Sequence, residues 1–363
     1  MQLTTTLAAA VAMLAGLSAA APLERRSFSA DLPKTPEEIK LVEDDARGSL
    51  PNSAPPPKLE PSSLTAFQLI QFNEQFEVAF FSSMLENVTN GGEGWETTEK
   101  DKLVDTLKIV VALRQQEKLH ALDAKGVLDH FKAFSPPPCQ YQFPTNSLKE
   151  AVSLAETFTS VVLGTLQDAN QLLAKNGDAG PVRAVSAVIG QEGEQNGFYR
   201  SILARPPSSQ PFLTTSIAPF AFSALQSFVV KGSCSFKMSE INIPVFAPLR
   251  VAQMQAGEVE AKTQMLSFEV DLRELVTAGR FLGKERAPLF VTYLSGLNVP
   301  LSVPVANPQW DGARIAFEAE FPFEKNSMYG LSIAALTYES NFTNPDDIPK
   351  ATLAGPGLIQ VNK

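Results

Sequence analysis

The chain has 363 residues, a formal net charge of −9, two cysteines, two histidines and 27 prolines. That length suits two domains of ordinary size. The acidic balance and the scattered Lys and Arg residues leave no basic face that could neutralise a row of phosphates, so no nucleic-acid partner is expected.

Residues 1–20 carry an apolar run from Leu7 to Leu17 that closes on Ser18-Ala19-Ala20, the pattern of a secretory signal cleaved after Ala20. The run is too short to span a bilayer, and no other stretch approaches the roughly 18 unbroken apolar residues a span needs. The expected product is a secreted protein, extracellular or in the cell wall, with no membrane span. Arg25-Arg26 reads equally well as a dibasic processing site and as two solvated charges. Residues 21–61 are rich in Pro, Ser and charge with little periodicity, which predicts a disordered arm or propeptide.

Helical periodicity takes over across residues 62–234. The first helix, about 63 to 86, has the stripe Phe67, Ile70, Glu74, Glu77, Phe81, Met84 and stops at Gly91-Gly92. The second opens at a capping-box-like Thr97-Thr98-Glu99-Lys100 and runs to about Phe134, where Pro136-Pro137-Pro138 ends it. The third, about 147 to 175, carries Val152, Glu156, Thr159, Leu163 and Leu166; the fourth starts at Pro181 and carries Val185, Val188, Glu192, Gln195 and Tyr199. A shorter apolar segment from Ile217 to Val230 predicts a fifth helix capping one end. Beyond Cys234 the period falls to two: Ile241, Ile243, Val245, then Leu266, Phe268, Val270, then Ile315, Phe317, Ala319, Phe321. Residues 235–363 therefore predict five to eight antiparallel strands in a β-sandwich-like domain, and the whole chain reads as an α+β multidomain protein.

A carboxylate on a core stripe is expensive unless it is paired or bound to metal, and four predicted helices each carry one. In the first pair of helices Glu74 is followed by Glu117-x-x-His120; in the second, Glu156 is followed by Glu192-x-x-Gln195. Carboxylate bundles that hold two iron or manganese ions use one Glu from each of two helices and Glu-x-x-His from each of the others. The i, i+3 spacing puts acid and imidazole on one helix face, and hard divalent cations prefer such oxygen-rich donors. His130 lies ten residues beyond His120, about 15 Å along a helix and turned away, so it is no substitute ligand.

The stretches Phe72-Asn-Glu-Gln-Phe-Glu-Val-Ala-Phe-Phe81, Gln116-Glu-Lys-Leu-His120, Leu154-Ala-Glu156 and Ile189 to Arg200, with the run after Cys139, resemble the ferritin-like proteins of fungi and plants. That family includes late sexual development, stress-responsive and desiccation-related proteins. The resemblance covers roughly residues 64–234. It implies a ferritin-like four-helix bundle with metal ligands at Glu74, Glu117, His120, Glu156 and Glu192. The family pattern has a second His where this chain has Gln195, a weaker neutral ligand, so one or two iron or manganese ions, or none, stay open.

In an oxidising compartment Cys139 and Cys234 are expected to form one disulfide, and Asn87-Val-Thr89 and Asn341-Phe-Thr343 are glycosylation sequons expected in turns. Three functions remain open. One is oxygen or peroxide chemistry at a metal centre, with a role in stress or development. Another is metal sequestration outside the cell. The third is a non-catalytic partner of cell-wall or matrix components with a relict metal site. Whether the chain is an enzyme stays undecided at this level.

Overall fold

A computed structural model describes residues 26–96, 100–252, 259–271, 273, 288–312 and 314–362. The predicted signal at residues 1–20, Arg25 and the capping residues Thr97–Glu99 lie outside the described residues. The fold is mixed, with helices gathered in the first two thirds of the chain and two antiparallel four-stranded sheets in the last third.

Within the stretch expected as a disordered arm or propeptide, the described residues include a helix. Thr35 accepts a hydrogen bond from Glu38 N while the Glu38 carboxylate accepts from Thr35 N, a capping box that launches helix α1, Pro36–Ala46. Val42 and Ala46, four apart, are buried against the helix that carries Glu117. Composition alone hid this because the apolar positions are few; the cap and their spacing decide the outcome.

Four long helices follow: α2 Pro61–Asn90, α3 Lys100–His130, α4 Leu148–Asn176 and α5 Val182–Ile202. Helix α2 packs along α3, α4 along α5, and α2 against α4. Amide hydrogen bonds from Gln191 and Gln195 on α5 to Gln116 on α3 close the group. Helix α2 is its centre: every residue from Gln71 to Phe81 is buried, so its polar members Asn73, Glu74, Gln75 and Glu77 are enclosed too. Gln71 and Gln75 donate to the Pro136 carbonyl, and Gln71 also accepts from the Ser135 hydroxyl. Phe72, Phe76 and Phe80 meet Tyr141, Phe143 and Phe158 edge to face, giving this core its aromatic character.

The disulfide between Cys139 and Cys234 is present, with Cα atoms 4.5 Å apart. It ties the chain after α3 to the end of the segment that follows the short helix α6, Ala218–Gln226. Ile241, Ile243 and Val245 alternate as a strand would, yet no ladder forms; the segment packs as extended chain on the aromatic core.

The sheets run β1-β2-β6-β5 and β4-β3-β7-β8. The first comprises β1 Arg250–Val251, β2 Gln264–Asp271, β5 Ala306–Asp311 and β6 Arg314–Phe321; the second comprises β3 Phe290–Ser295, β4 Leu301–Pro304, β7 Gly330–Thr337 and β8 Thr352–Val361. Their facing residues, among them Phe268, Phe317, Tyr293 and Leu336, form one core. Strand β7 is buried on both faces: Ala334 and Leu336 face the other sheet, while Leu331, Ile333 and Ala335 pack on Phe220 and Ala221 of α6 and Val161 of α4. That double burial explains why β7 reads as a continuous apolar run instead of an alternating one.

Candidate metal centre

The acids enter the interior because their helices bury them on apolar stripes. Glu74 and Glu77 come from α2, Glu117 and His120 from α3, and Glu192 from α5; all four carboxylates are fully buried. Candidate ligand atoms of Glu74, Glu117, His120 and Glu192 all lie within 4.8 Å of one another. His120 Nδ1 is 2.9 Å from Glu117 Oε2, 3.4 Å from Glu74 Oε2 and 3.7 Å from Glu192 Oε1. One imidazole thus faces three carboxylates.

Both oxygens of Glu74, both of Glu192 and one of Glu77 have no hydrogen-bond partner. The other Glu77 oxygen accepts from Asn73 Nδ2 at 2.9 Å. Buried carboxylate oxygens almost always find donors, so the four orphaned on Glu74 and Glu192, with one more on Glu77 a helical turn from Glu74, call for protons or a cation. Burial pushes the Glu74 carboxyl up to about 7; His120 pulls it down and Glu117 opposes that. Burial, then the Glu117 charge, pushes Glu77 and Glu192 well above the usual carboxylate range. For His120 burial alone would lower the imidazolium, but its contacts with Glu117 and Glu74 outweigh that and raise it well above its ordinary value. This many like charges cannot coexist ionised in a dry space unless something positive joins them. The donor set, carboxylates with one imidazole, fits a hard to borderline divalent cation such as iron or manganese.

The other two expected ligands are placed differently from these four. Glu156 is fully buried but accepts from Arg200 Nη1 at 2.6 Å and from Arg205 Nη1 at 3.2 Å, so it is a buried ion-pair acceptor and not a member of the cluster. Arg200 also donates to the Pro206 carbonyl and to Asn362 Oδ1, which links α4 and α5 to the end of β8. Gln195 sits beside the cluster with its amide nitrogen turned in, donating to Glu117 Oε1 at 2.8 Å, and its oxygen accepts from Tyr199 at 2.9 Å. It therefore orients Glu117 and presents no oxygen to an ion. Burial, followed by the charges of Glu117, Glu192 and Glu77, drives the Tyr199 phenol well above its ordinary range and keeps it a donor.

Glu77 shares the predicted stripe of Glu74 at i, i+3 spacing, and it is fully buried. The other His, His130, ends α3 at the surface with its ring against Phe131. Asn341 is exposed in a loop with φ 64°, whereas Asn87 lies in the last turn of α2, half-buried, with its carbonyl capping Gly91 N. The turn expected at Asn87 is thus a helix end.

No protein-family model and no curated protein matches the chain. Among the described residues, no helix is long and apolar enough to cross a membrane.

Proposed function

We propose that the protein is a secreted, ferritin-like carboxylate-bundle protein that binds one iron or manganese ion at Glu74, Glu117, His120 and Glu192, and acts in stress or development. The observation that carries the metal reading is the set of orphaned oxygens on Glu74 and Glu192, grouped with Glu117 around one imidazole. A divalent ion of either kind would supply redox chemistry with oxygen or peroxide when bound. The protein's own residues prepare for it. Gln195 fixes Glu117, Tyr199 fixes Gln195, and Asn73 holds Glu77 close by as a further acid. The family and the location rest on the sequence resemblance and the signal-like leader.

The limit of one ion follows from two side chains. Glu156 is neutralised by two arginines, and Gln195 stands where the resembled pattern has an imidazole. Those same two features favour the second reading, a non-catalytic cell-wall or matrix protein with a relict site whose acids hold protons.

Elemental analysis of gently purified full-length protein, with oxidase and catalase assays, tests both. Close to one Fe or Mn per chain, lost in the E74Q/E192Q double variant, supports metal binding. A metal-free protein that takes up neither ion on titration refutes it and leaves the relict reading.

A further inference from the structure

Glu74, Glu117 and Glu192 are wholly enclosed, and of the four candidate ligands only His120 keeps some surface, 14 % of its side chain. That surface opens into a cleft between α3 and α5. The inner part, about 300 Å³, is lined by Leu119, His120, Asp123 and Val188 and roofed by Gly48, Ser49 and Pro51 of the arm. The outer part, about 510 Å³, continues beneath residues 50–56 and again includes Asp123 and Ala184. A smaller space of about 20 Å³, room for roughly one water, shares Asp123 and Ala184 with both and is bounded by His120 and Glu74, which makes it the neck on the Glu74 side. Glu74, with both oxygens unpartnered, faces that neck.

The roof is fixed in place. Gln116 Nε2 donates to the Ala46 carbonyl and Gln115 Nε2 to Asp45 Oδ2, which ties the end of α1 to α3. Glu43 then accepts from Gly48 N and Leu50 N, turning the chain over the cleft. Asp123 is three residues beyond His120, so it lies on the same face of α3 on the cleft side. It is half-buried, lines all three spaces, and makes no hydrogen bond or ion pair among the described residues.

We infer that the cleft beneath the N-terminal arm is the route by which a divalent cation reaches the acid centre, with Asp123 as the transit ligand at its neck. The inference rests on the metal reading above. An ion arriving hydrated cannot pass a one-water neck with its shell intact, and each water it sheds must be replaced by an oxygen. Asp123 offers the first carboxylate, and Glu74 and His120, lining the same neck, take over from it. Asp123 is the only carboxylate lining the two larger spaces; their other lining residues are apolar or neutral and polar, apart from His120 at the inner end, so the one acid steers a cation inward.

The test is the rate of metal uptake by full-length, metal-free protein mixed with Mn(II) or Co(II) alone, quenched by chelator at set times. D123N is expected to slow filling about tenfold or more at low ionic strength, while the final occupancy matches wild type. D123E should restore most of the rate. A184F, which fills the cleft from α5, should slow uptake without changing any charge. Wild-type rates in both D123N and A184F would overturn the route, and a D123N variant that fills at the normal rate but incompletely would make Asp123 a resident ligand. If wild type binds no metal at all, the metal reading falls and this inference with it.

Discussion

Removing Arg200 is the sharpest test of where the structure places Glu156. Arg200 is 3 % exposed and the Glu156 side chain 1 %, so their 2.6 Å contact is shielded from water. Deleting one partner of a buried pair leaves an uncompensated charge, at a cost of about 3 to 5 kcal/mol. Arg205 stays 3.2 Å from the other oxygen with a side chain 10 % exposed, which retains part of the compensation. The lost hydrogen bonds to Pro206 and Asn362 add about 1 kcal/mol each. R200M should therefore unfold about 3 to 5 kcal/mol more easily in denaturant titration with the metal site intact. R200M/E156M removes that pair but leaves Arg205 without the Glu156 carboxylate, so it should recover part of that loss. E156Q must keep whatever metal the wild type holds. A loss under about 1 kcal/mol in R200M, or an E156Q protein that folds but sheds its metal, would refute the assignment and return Glu156 to the ligand set.

Metal-free protein should lose stability as pH rises. Glu74 moves from an ordinary 4.5 up to about 7, and Glu77 and Glu192 shift in the same direction, so the folded state binds more protons than the unfolded chain across that window. The raised His120 acts with the same sign, its contribution present below 6.5 and lost as pH climbs through the raised value. A melting temperature that increases from about pH 5 to about pH 8 without metal would contradict this, and metal affinity should strengthen over the same range as bound protons are displaced. Denaturing thiol titration should find no free cysteine, and C139A/C234A should be less stable by about 4 to 5 kcal/mol, the chain-entropy value for so long a loop. Q195H should still hold about one ion per chain by elemental analysis, because Arg200 and Arg205 keep Glu156 away from any second ion; two would show that the arginines yield.

Glu117 and His120 were legible because a three-residue step on a helix is a geometric fact that needs no knowledge of the neighbours. Glu74 and Glu192 followed from their stripes, and they do meet His120. Glu156 was misplaced because a half-to-half repeat fixes the helix and its facing stripe, but not what the opposite helix presents there. A clue was in the sequence: Glu192, Tyr199 and Arg200 share one side of α5, and a basic residue on a core stripe requires an acid. The strands were readable where one face is dry, as in β2 and β6, with burial alternating along them. Strand β8 was not, since Gly355, Pro356 and Gly357 break its pattern and its pairing with β7 shifts register there. Helix α1 was concealed by its composition, although its capping box was in plain sight.

The same electrostatic problem, a carboxylate buried in a helical group, is thus solved in two ways in this chain. On the α4 side, arginines from α5 and from the loop after it neutralise Glu156 permanently, and Arg200 carries the link on to Asn362 at the far end of the chain. That arrangement is rigid and saturated: Glu156 already has a cation on each oxygen, so no ion has a reason to enter. On the α2 and α3 side, three acids and Glu77 share one imidazole and keep five oxygens without donors. One positive imidazolium cannot balance four carboxylates, so the remainder hold protons or yield them to a metal. The arginine pair stabilises the frame, the unbalanced acids supply the affinity, and the two are separated by which residues α5 turns inward along its length. A variant that moves an arginine into the acid cluster, such as Q195R, should therefore raise stability at high pH while abolishing metal uptake. Retained stoichiometric metal in a folded Q195R protein would show that the ion is held by acids other than those around His120.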